Sequence, residues 1–78
     1  MEEPKPGEKY VHFRGDDKVY EIVTIVRSSE NPEEKDVIYR QLYDAPGFPK
    51  GTGWRRSLAR FCETVDFKGT KVPRFRRI

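Results

Sequence analysis

The chain has few of the residues on which catalysis, cross-linking and membrane insertion depend. Its 78 residues include one cysteine, one methionine, one tryptophan and one histidine. A single Cys62 cannot form an internal disulfide, and no Cys and His spacing typical of a zinc site is present. No apolar run approaches the roughly 18 residues of a membrane-spanning helix. We therefore expect a cytosolic protein with no membrane segment, no bound metal and no cofactor.

Enzymatic chemistry would have little to build on. His12 is the only imidazole, and no nucleophile, orienting partner or phosphate-binding glycine loop accompanies it in a recognisable motif. A lone histidine on a strand is more often a hydrogen-bonded structural group, and a cysteine such as Cys62 is more often an inert buried thiol. The acidic loop between Glu30 and Asp36 lacks the ligand order and the glycine of a calcium site. The sequence therefore predicts a binding domain and not an enzyme.

Positive charge is concentrated towards the C-terminus. Residues 1–53 carry 8 Lys and Arg against 11 Asp and Glu, whereas residues 54–78 carry 8 against 2. Clustered positive charge raises the local concentration of anions, which is a property of nucleic-acid-binding surfaces. A basic end such as residues 74–77 is also typical of a terminus that only improves solubility, so both interpretations stay open.

Short runs of β-type residues separated by turns make up most of the chain. Residues 1–8 contain two prolines and a glycine and are expected to form a disordered leader. The β-branched and aromatic runs predict strands at 10–13, 19–26, 36–43, 54–56, 63–67 and 71–75. Turn-type residues at 15–17 and 68–69, and polar or glycine-rich stretches at 28–35 and 44–53, separate these strands. The second and third strands should form a hairpin, and residues 76–78 should form a basic tail.

One helical turn is predicted near the C-terminus. Ser57 is a suitable N-cap for a turn from Leu58 to Cys62, with Leu58 and Phe61 on the same side. Five or six short strands and one helical turn favour a mainly β fold, a small antiparallel barrel or roll that forms a single domain over residues 9–75. An SH3-like barrel fits better than an OB-like one, because an OB fold commonly needs more residues and a longer helix.

Several short motifs, in order along the chain, resemble one family. They are Tyr10-x-His12-x-x-Gly15, Tyr20-Glu21-Ile22, Ser29-Glu30, Val37-Ile38-Tyr39-Arg40-x-Leu42-Tyr43, Trp54-x-Arg56-x-Leu58-x-x-Phe61 and Val72-Pro73-Arg74-Phe75. This pattern is similar to the small, mainly bacterial domain of unknown function 1653, over about residues 10 to 75. The resemblance implies an SH3-like barrel that stands alone as one domain, and it implies no established activity.

Aromatic and basic side chains provide the candidate ligand site. Tyr39 and Tyr43 lie four residues apart in a predicted strand, so both should point to the same face as Gln41. If they meet the first strand and the strand after the long loop, they would form a groove with stacking surfaces and guanidinium donors; otherwise the tyrosines simply cap the core. The candidate ligand-binding residues are His12, Tyr39, Tyr43, Trp54, Arg55, Arg56 and Arg60.

Two functions are consistent with these features. In the first, the arginines contact the phosphates of a nucleic acid, most simply RNA, while Trp54 or a tyrosine stacks on a base. In the second, an aromatic groove binds an extended or proline-rich peptide of a partner protein, as SH3-like barrels can. Trp54, Leu58 and Phe61 are expected to be mainly structural, which leaves Arg56 as the arginine of most interest.

Overall fold

The computed structural model describes residues 3–78 and consists mainly of antiparallel β-strands. Seven strands and one short helix follow each other along the chain: β1 (Lys9–His12), β2 (Gly15–Arg27), β3 (Lys35–Gln41), β4 (Gly53–Ser57), α1 (Leu58–Phe61), β5 (Thr64–Phe67), β6 (Thr70–Pro73) and β7 (Phe75–Arg77). Five strands form one sheet in the order β4-β3-β2-β1-β7, and β5 pairs with β6 in a separate hairpin. The prediction of a mainly β, antiparallel fold with one helical turn is confirmed.

The hairpin of β2 and β3 is the centre of the large sheet. Its ladder runs from the pair Tyr20 and Gln41 to the pair Arg27 and Lys35, with an irregularity near Thr24. The density of β-branched residues in β2 explains its 13-residue length, because branched side chains pack well on a pleated surface. This hairpin was predicted from the sequence and is confirmed.

The first turn lies earlier than the sequence predicted. Residues 15–17 were expected to form the turn, but they already belong to β2, and Phe13 and Arg14 form the turn instead. His12 pairs with Gly15 across it. A Cβ atom at Gly15 would lie 2.7 Å from Oδ1 of Asp17, an exposed side chain that is able to move away.

The large sheet is open. Its edge strands are β4 and β7, which are not paired with each other, so the closed SH3-like barrel expected from the sequence is not confirmed. Side chains bring the two ends of the sheet together instead. Phe61 of α1 stacks on Phe75 of β7, with 4.3 Å between the ring centroids and 6° between the ring planes. The fold is therefore a strongly bent open sheet, and the stacked rings of Phe61 and Phe75 join its two ends.

Both chain ends contact the sheet. Residues 1 and 2 of the expected disordered leader lie outside the described residues, whereas Gly7 N–H donates to the Ile22 carbonyl and Ile22 N–H donates to the Glu8 carbonyl, each at 2.9 Å. The expected basic tail, residues 76–78, overlaps β7, which pairs with β1. Arg77 forms an ion pair with Glu8 at 2.9 Å. The segment before β1 is thus hydrogen-bonded to β2, and the last strand of the sheet extends to Arg77.

The core is small and rich in aromatic rings. Its buried hydrophobic side chains are Val11, Ile22, Val37, Tyr39, Phe61 and Phe75. Tyr39 contacts Phe61 and Phe75 edge to face, at 5.4 and 5.5 Å between centroids. Such edge-to-face pairs add about 0.5–1.5 kcal/mol beyond the burial of their apolar area. This helps a chain of low hydrophobic content to fold.

The helical turn forms where the sequence placed it. Ser57 Oγ accepts a hydrogen bond from Arg60 N–H at 3.3 Å, which is the predicted N-cap, and Phe61 is buried. Trp54 and Leu58 are partly buried against the core, as expected of mainly structural residues. Within residues 3–78, no helix is long and apolar enough to cross a membrane.

Candidate functional site

A pocket of about 200 Å³ lies on the large sheet, between the edge strand β7 and the other strands. We call it the His12–Arg56 pocket. Its lining consists of four aromatic residues, one histidine and one arginine: His12, Tyr20, Tyr39, Trp54, Arg56 and Phe75. These residues come from β1, β2, β3, β4 and β7, so all five strands of the large sheet contribute to one site.

The strand register explains why these side chains converge. Trp54 lies directly opposite Tyr39 in the ladder of β3 and β4, and Arg56 lies two residues further along the same face of β4. At the other end of the sheet, Phe75 of β7 lies opposite His12 of β1. The bend of the sheet brings Arg56 over the Phe75 ring, with 5.9 Å from Cζ to the ring centroid.

Arg56 is the central cation of the pocket. Its Nε donates a hydrogen bond to the Tyr39 hydroxyl at 3.3 Å, and its guanidinium lies within cation–π range of Phe75. Across residues 3–78 it forms no ion pair, although six other basic side chains of this region do: Lys35, Arg40, Arg55, Arg74, Arg76 and Arg77. A partly buried guanidinium without a carboxylate retains donors for an anionic or acceptor-bearing ligand.

His12 has a defined hydrogen-bonding state. Its Nδ1 accepts a hydrogen bond from Arg14 N–H at 3.2 Å, and its ring contacts Phe75 edge to face at 5.3 Å. Burial lowers the pKa of His12, and the positive charges of Arg74, Arg14, Arg56 and Lys18 lower it further. The imidazole is therefore neutral at pH 7, and its surroundings are electropositive.

A pair of tyrosines closes one side of the pocket. The hydroxyl groups of Tyr20 and Tyr43 are 2.5 Å apart, and Lys18 Nζ lies 5.3 Å from the centroid of the Tyr43 ring. The pKa of Tyr20 is raised, first by burial and then by the hydrogen bond to Tyr43. Tyr20 thus stays protonated and neutral at physiological pH, and contributes no negative charge to the site.

Gln41 holds the indole of Trp54 from behind the pocket. It is only 2% exposed, and its Oε1 accepts a hydrogen bond from Trp54 Nε1–H at 2.9 Å. Its Nε2 donates to the carbonyls of Tyr43 and Phe48, at 2.9 and 2.6 Å, which ties down the loop between β3 and β4. Phe48 in turn packs against Trp54, with 5.1 Å between ring centroids. The long loop therefore positions the aromatic wall of the pocket.

The seven candidate residues predicted from the sequence do not all meet. His12, Tyr39, Trp54 and Arg56 line the pocket, and Tyr43 reaches it through Tyr20. Arg55 lies on the opposite face of β4, where its side chain is 75% exposed and 3.6 Å from Asp36. Arg60 is exposed on α1. Four of the seven thus form one site directly.

Sequence reasoning missed three contributors to this site. Tyr20 and Phe75 line the pocket, and Gln41 orients Trp54. Tyr20 could have been found from the predicted hairpin, because pairing β2 with β3 places it opposite Gln41. Phe75 carries no comparable signal, since it reaches the pocket only when β7 pairs with β1.

Cys62 and the possible metal-ligating side chains were the other candidates for a chemical role. Cys62 is half-buried next to the core, and burial raises the pKa of its thiol, which disfavours the reactive thiolate. Among residues 3–78, no three His, Cys, Asp or Glu side chains lie close enough together to hold a metal ion.

The comparison with known families identifies the family of the chain. The sequence profile of the family described as a protein of unknown function (DUF1653) matches residues 8–77. The chain therefore belongs to this family, as the resemblance of its motifs indicated. No curated protein and no solved structure matches it. All six pocket-lining residues lie within the motifs that carry the resemblance.

Proposed function

We propose that this chain is a small, non-enzymatic, SH3-like domain that binds single-stranded RNA on the basic and aromatic surface around the His12–Arg56 pocket. The observation that carries the proposal is Arg56, a partly buried arginine without a carboxylate partner in the described part of the chain, which lies among aromatic rings in a pocket. Single-stranded RNA offers both an unstacked base for the rings and acceptor groups for the guanidinium.

The energetics favour a base inside the pocket. Stacking of a base on an aromatic side chain contributes about 1–3 kcal/mol, and Trp54 and Tyr20, which line the pocket and are partly exposed, supply such surfaces. No carboxylate is among the lining residues, so an RNA strand would meet no repulsion inside the pocket itself. A protein ligand without a π-face would use this site less well.

Cations next to the pocket suit the phosphates on either side of a bound base. Arg14 lies over the Phe13 ring and Lys18 over the Tyr43 ring, and neither forms an ion pair within residues 3–78. Arg76 and Arg77, in contrast, are paired with carboxylates of the same chain. We infer that the phosphate contacts involve Arg14 and Lys18 more than the C-terminal arginines.

A second groove supports the alternative function, a protein-interaction module. It has a volume of about 210 Å³ and is lined mostly by apolar side chains of the turn after β1 and of the β5–β6 hairpin, including Phe13, Phe67, Val72 and Pro73. Its rim contains Asp16 and Arg76, which are paired with each other. Such a slot suits an apolar side chain of an extended peptide.

The two functions differ in their dependence on salt and in the residues affected. In NMR titrations with mixed RNA oligonucleotides at two salt concentrations, we expect amide shifts around Trp54 and Arg56. If Arg14 and Lys18 neutralise two phosphates, the affinity should fall with a log–log slope of about −1.4. Shifts confined to the region of Phe67, with little effect of salt and only with a proline-rich peptide pool, would favour the peptide function and refute the RNA proposal.

Matched arginine variants provide the control. Arg56→Gln should weaken RNA binding, because it removes the cation of the pocket. Arg55→Gln changes the neighbouring residue, which lies on the other face of β4 next to Asp36, and should have much less effect. Equal losses in both variants would indicate binding by general charge and not by the pocket.

A further inference from the structure

No side chain that lines the His12–Arg56 pocket is restricted to accepting hydrogen bonds. The Tyr39 hydroxyl accepts from Arg56 Nε, so its own hydrogen remains available to donate, and the Tyr20 hydroxyl can donate or accept. Neither Asp, Glu, Asn nor Gln is among the lining residues. A ligand that fits this pocket should therefore present acceptors.

His12 adds a donor of known position. Because its Nδ1 accepts a hydrogen bond from Arg14 N–H, that nitrogen carries the lone pair, and the proton of the neutral ring is on Nε2. The ring itself lines the pocket beside Phe75. The imidazole therefore offers an N–H group and not a lone pair to a ligand on its Nε2 side.

Arg56 offers two donors as a fork. Its Nε is used by Tyr39, and its terminal Nη1 and Nη2 have no hydrogen bond within residues 3–78. The contact with Tyr39 and the position over Phe75 limit the rotation of the guanidinium plane. A planar, oriented fork pairs best with two adjacent acceptors at the edge of a flat ligand.

We propose that the His12–Arg56 pocket recognises a guanine base through its O6 and N7 acceptors. The inference rests on the proposed RNA binding and names the base that this site selects. Guanine presents two neighbouring acceptors on one edge, to which arginine pairs in bidentate fashion. Adenine and cytosine place an amino donor on the corresponding edge, and uracil has one acceptor there. An amino group that faces Arg56 and His12 would be left without a partner.

The aromatic walls favour a base over a bare phosphate as the occupant. Four of the six lining residues are aromatic, and a phosphate gains nothing from them. Phe75 is supported from behind by its stack on Phe61, and Trp54 is held by Gln41 and Phe48, so both rings are fixed in place. Fixed rings beside an arginine fork match a flat ligand with acceptors on its edge.

The test uses Trp54, the only tryptophan of the chain, as a reporter inside the pocket. Its fluorescence is followed while the whole protein is titrated with uridine pentamers that carry G, A, C or U at the central position. A bidentate pair discriminates by 1–3 kcal/mol, so we expect the G pentamer to bind about 5-fold to 150-fold more tightly than the others. Inosine, which keeps O6 and N7, should bind like guanine, and 7-deazaguanine should lose most of the preference.

Substitution of the fork separates charge from geometry. Arg56→Lys keeps the positive charge but replaces the planar fork with a point charge, so the preference for G over A should disappear while the salt dependence is retained. Arg55→Lys, on the other face of β4, is the matched control and should keep the preference. Thermal unfolding of both variants verifies that they are folded. If one variant is not folded, the series of base analogues on the unchanged protein still tests the proposal.

Three results would overturn the proposal. Equal, salt-dependent binding of all four pentamers would refute guanine recognition while the proposed RNA binding would stand. Competition by inorganic phosphate but not by guanosine would make the pocket an anion site. Absence of binding to every pentamer would refute the proposed function together with this inference.

Discussion

Substitution of Gln41 tests how the pocket is held together. The buried Gln41 side chain forms three hydrogen bonds, to the loop between β3 and β4 and to the indole of Trp54. It donates to the Tyr43 and Phe48 carbonyls and accepts from Trp54 Nε1–H. Gln41→Met replaces it with an apolar side chain of similar length and removes all three. We expect lower stability and a less constrained Trp54.

The size of the effect follows from the hydrogen bonds lost. Each contributes about 1 kcal/mol net, and the Phe48 carbonyl keeps a second hydrogen bond, from Ala45 N–H at 3.0 Å. We expect Gln41→Met to lower the free energy of unfolding by about 2–3 kcal/mol. In a domain of this size that corresponds to a decrease in Tm of roughly 10–20 °C.

The measurement is denaturant unfolding followed by Trp54 fluorescence and by far-UV circular dichroism. Arg40→Met is the matched control, since it introduces the same side chain one residue away on the exposed face of β3 and removes only a surface ion pair with Glu21. It should cost about 0–1 kcal/mol. If Gln41→Met is within about 0.5 kcal/mol of the unchanged protein, the loop is not held by Gln41 and the reasoning is wrong.

Gln41→Glu tests the same hydrogen bonds through pH. The new carboxylate would be buried and would face two carbonyl oxygens, so its pKa in the folded state should lie above its unfolded value. Between these two pKa values the folded state binds more protons, so the variant should become less stable as the pH rises and recover as the pH falls. A variant whose stability relative to the unchanged protein does not depend on pH would contradict this.

Further predictions concern the imidazole, a turn and the core. The imidazole of His12 should have a pKa, measured by NMR titration, below the ordinary value of 6.5, and its contribution to stability should be present above that value and be lost as the pH falls through the folded pKa; a pKa at or above 6.5 contradicts the burial argument. Lys68 has a φ of 53° in the turn between β5 and β6, so Lys68→Asn should raise the stability by roughly 0.5 kcal/mol in thermal unfolding, and a lower Tm would argue against strain there. Phe61→Ala should cost about 3–5 kcal/mol and leave the protein largely unfolded by circular dichroism, whereas Phe48→Ala at an exposed site should not, and equal effects would place the core elsewhere.

Local sequence patterns predicted the parts of the fold that depend on neighbouring residues. The hairpin of β2 and β3 and the shared face of Val37, Tyr39 and Gln41 follow from β-branched content and alternation. The Ser57 cap follows from the chemistry of a helix N-terminus. In each case the signal and the structure lie within a few residues of each other.

The features that were missed depend on distant contacts. Residues 15–17 have a turn-type composition, yet pairing with β1, in which His12 lies opposite Gly15, extends β2 through them. The open sheet was missed because whether β4 and β7 pair is a tertiary property that no local pattern encodes. Phe75 could not be assigned to the site for the same reason, as its partner strand lies at the other end of the chain.

The pairing of β7 with β1 has a consequence for the order of folding. The ion pair of this pairing joins Arg77 to Glu8, 69 residues apart in sequence, so the longest loop in the fold must close before β7 docks. The entropy of such closure makes distant pairings slow relative to local hairpins. Phe75 takes its place in the pocket lining only when β7 pairs with β1. An intermediate that contains only the β2–β3 hairpin therefore lacks this part of the pocket. We therefore expect the His12–Arg56 pocket to be among the last features of the chain to form.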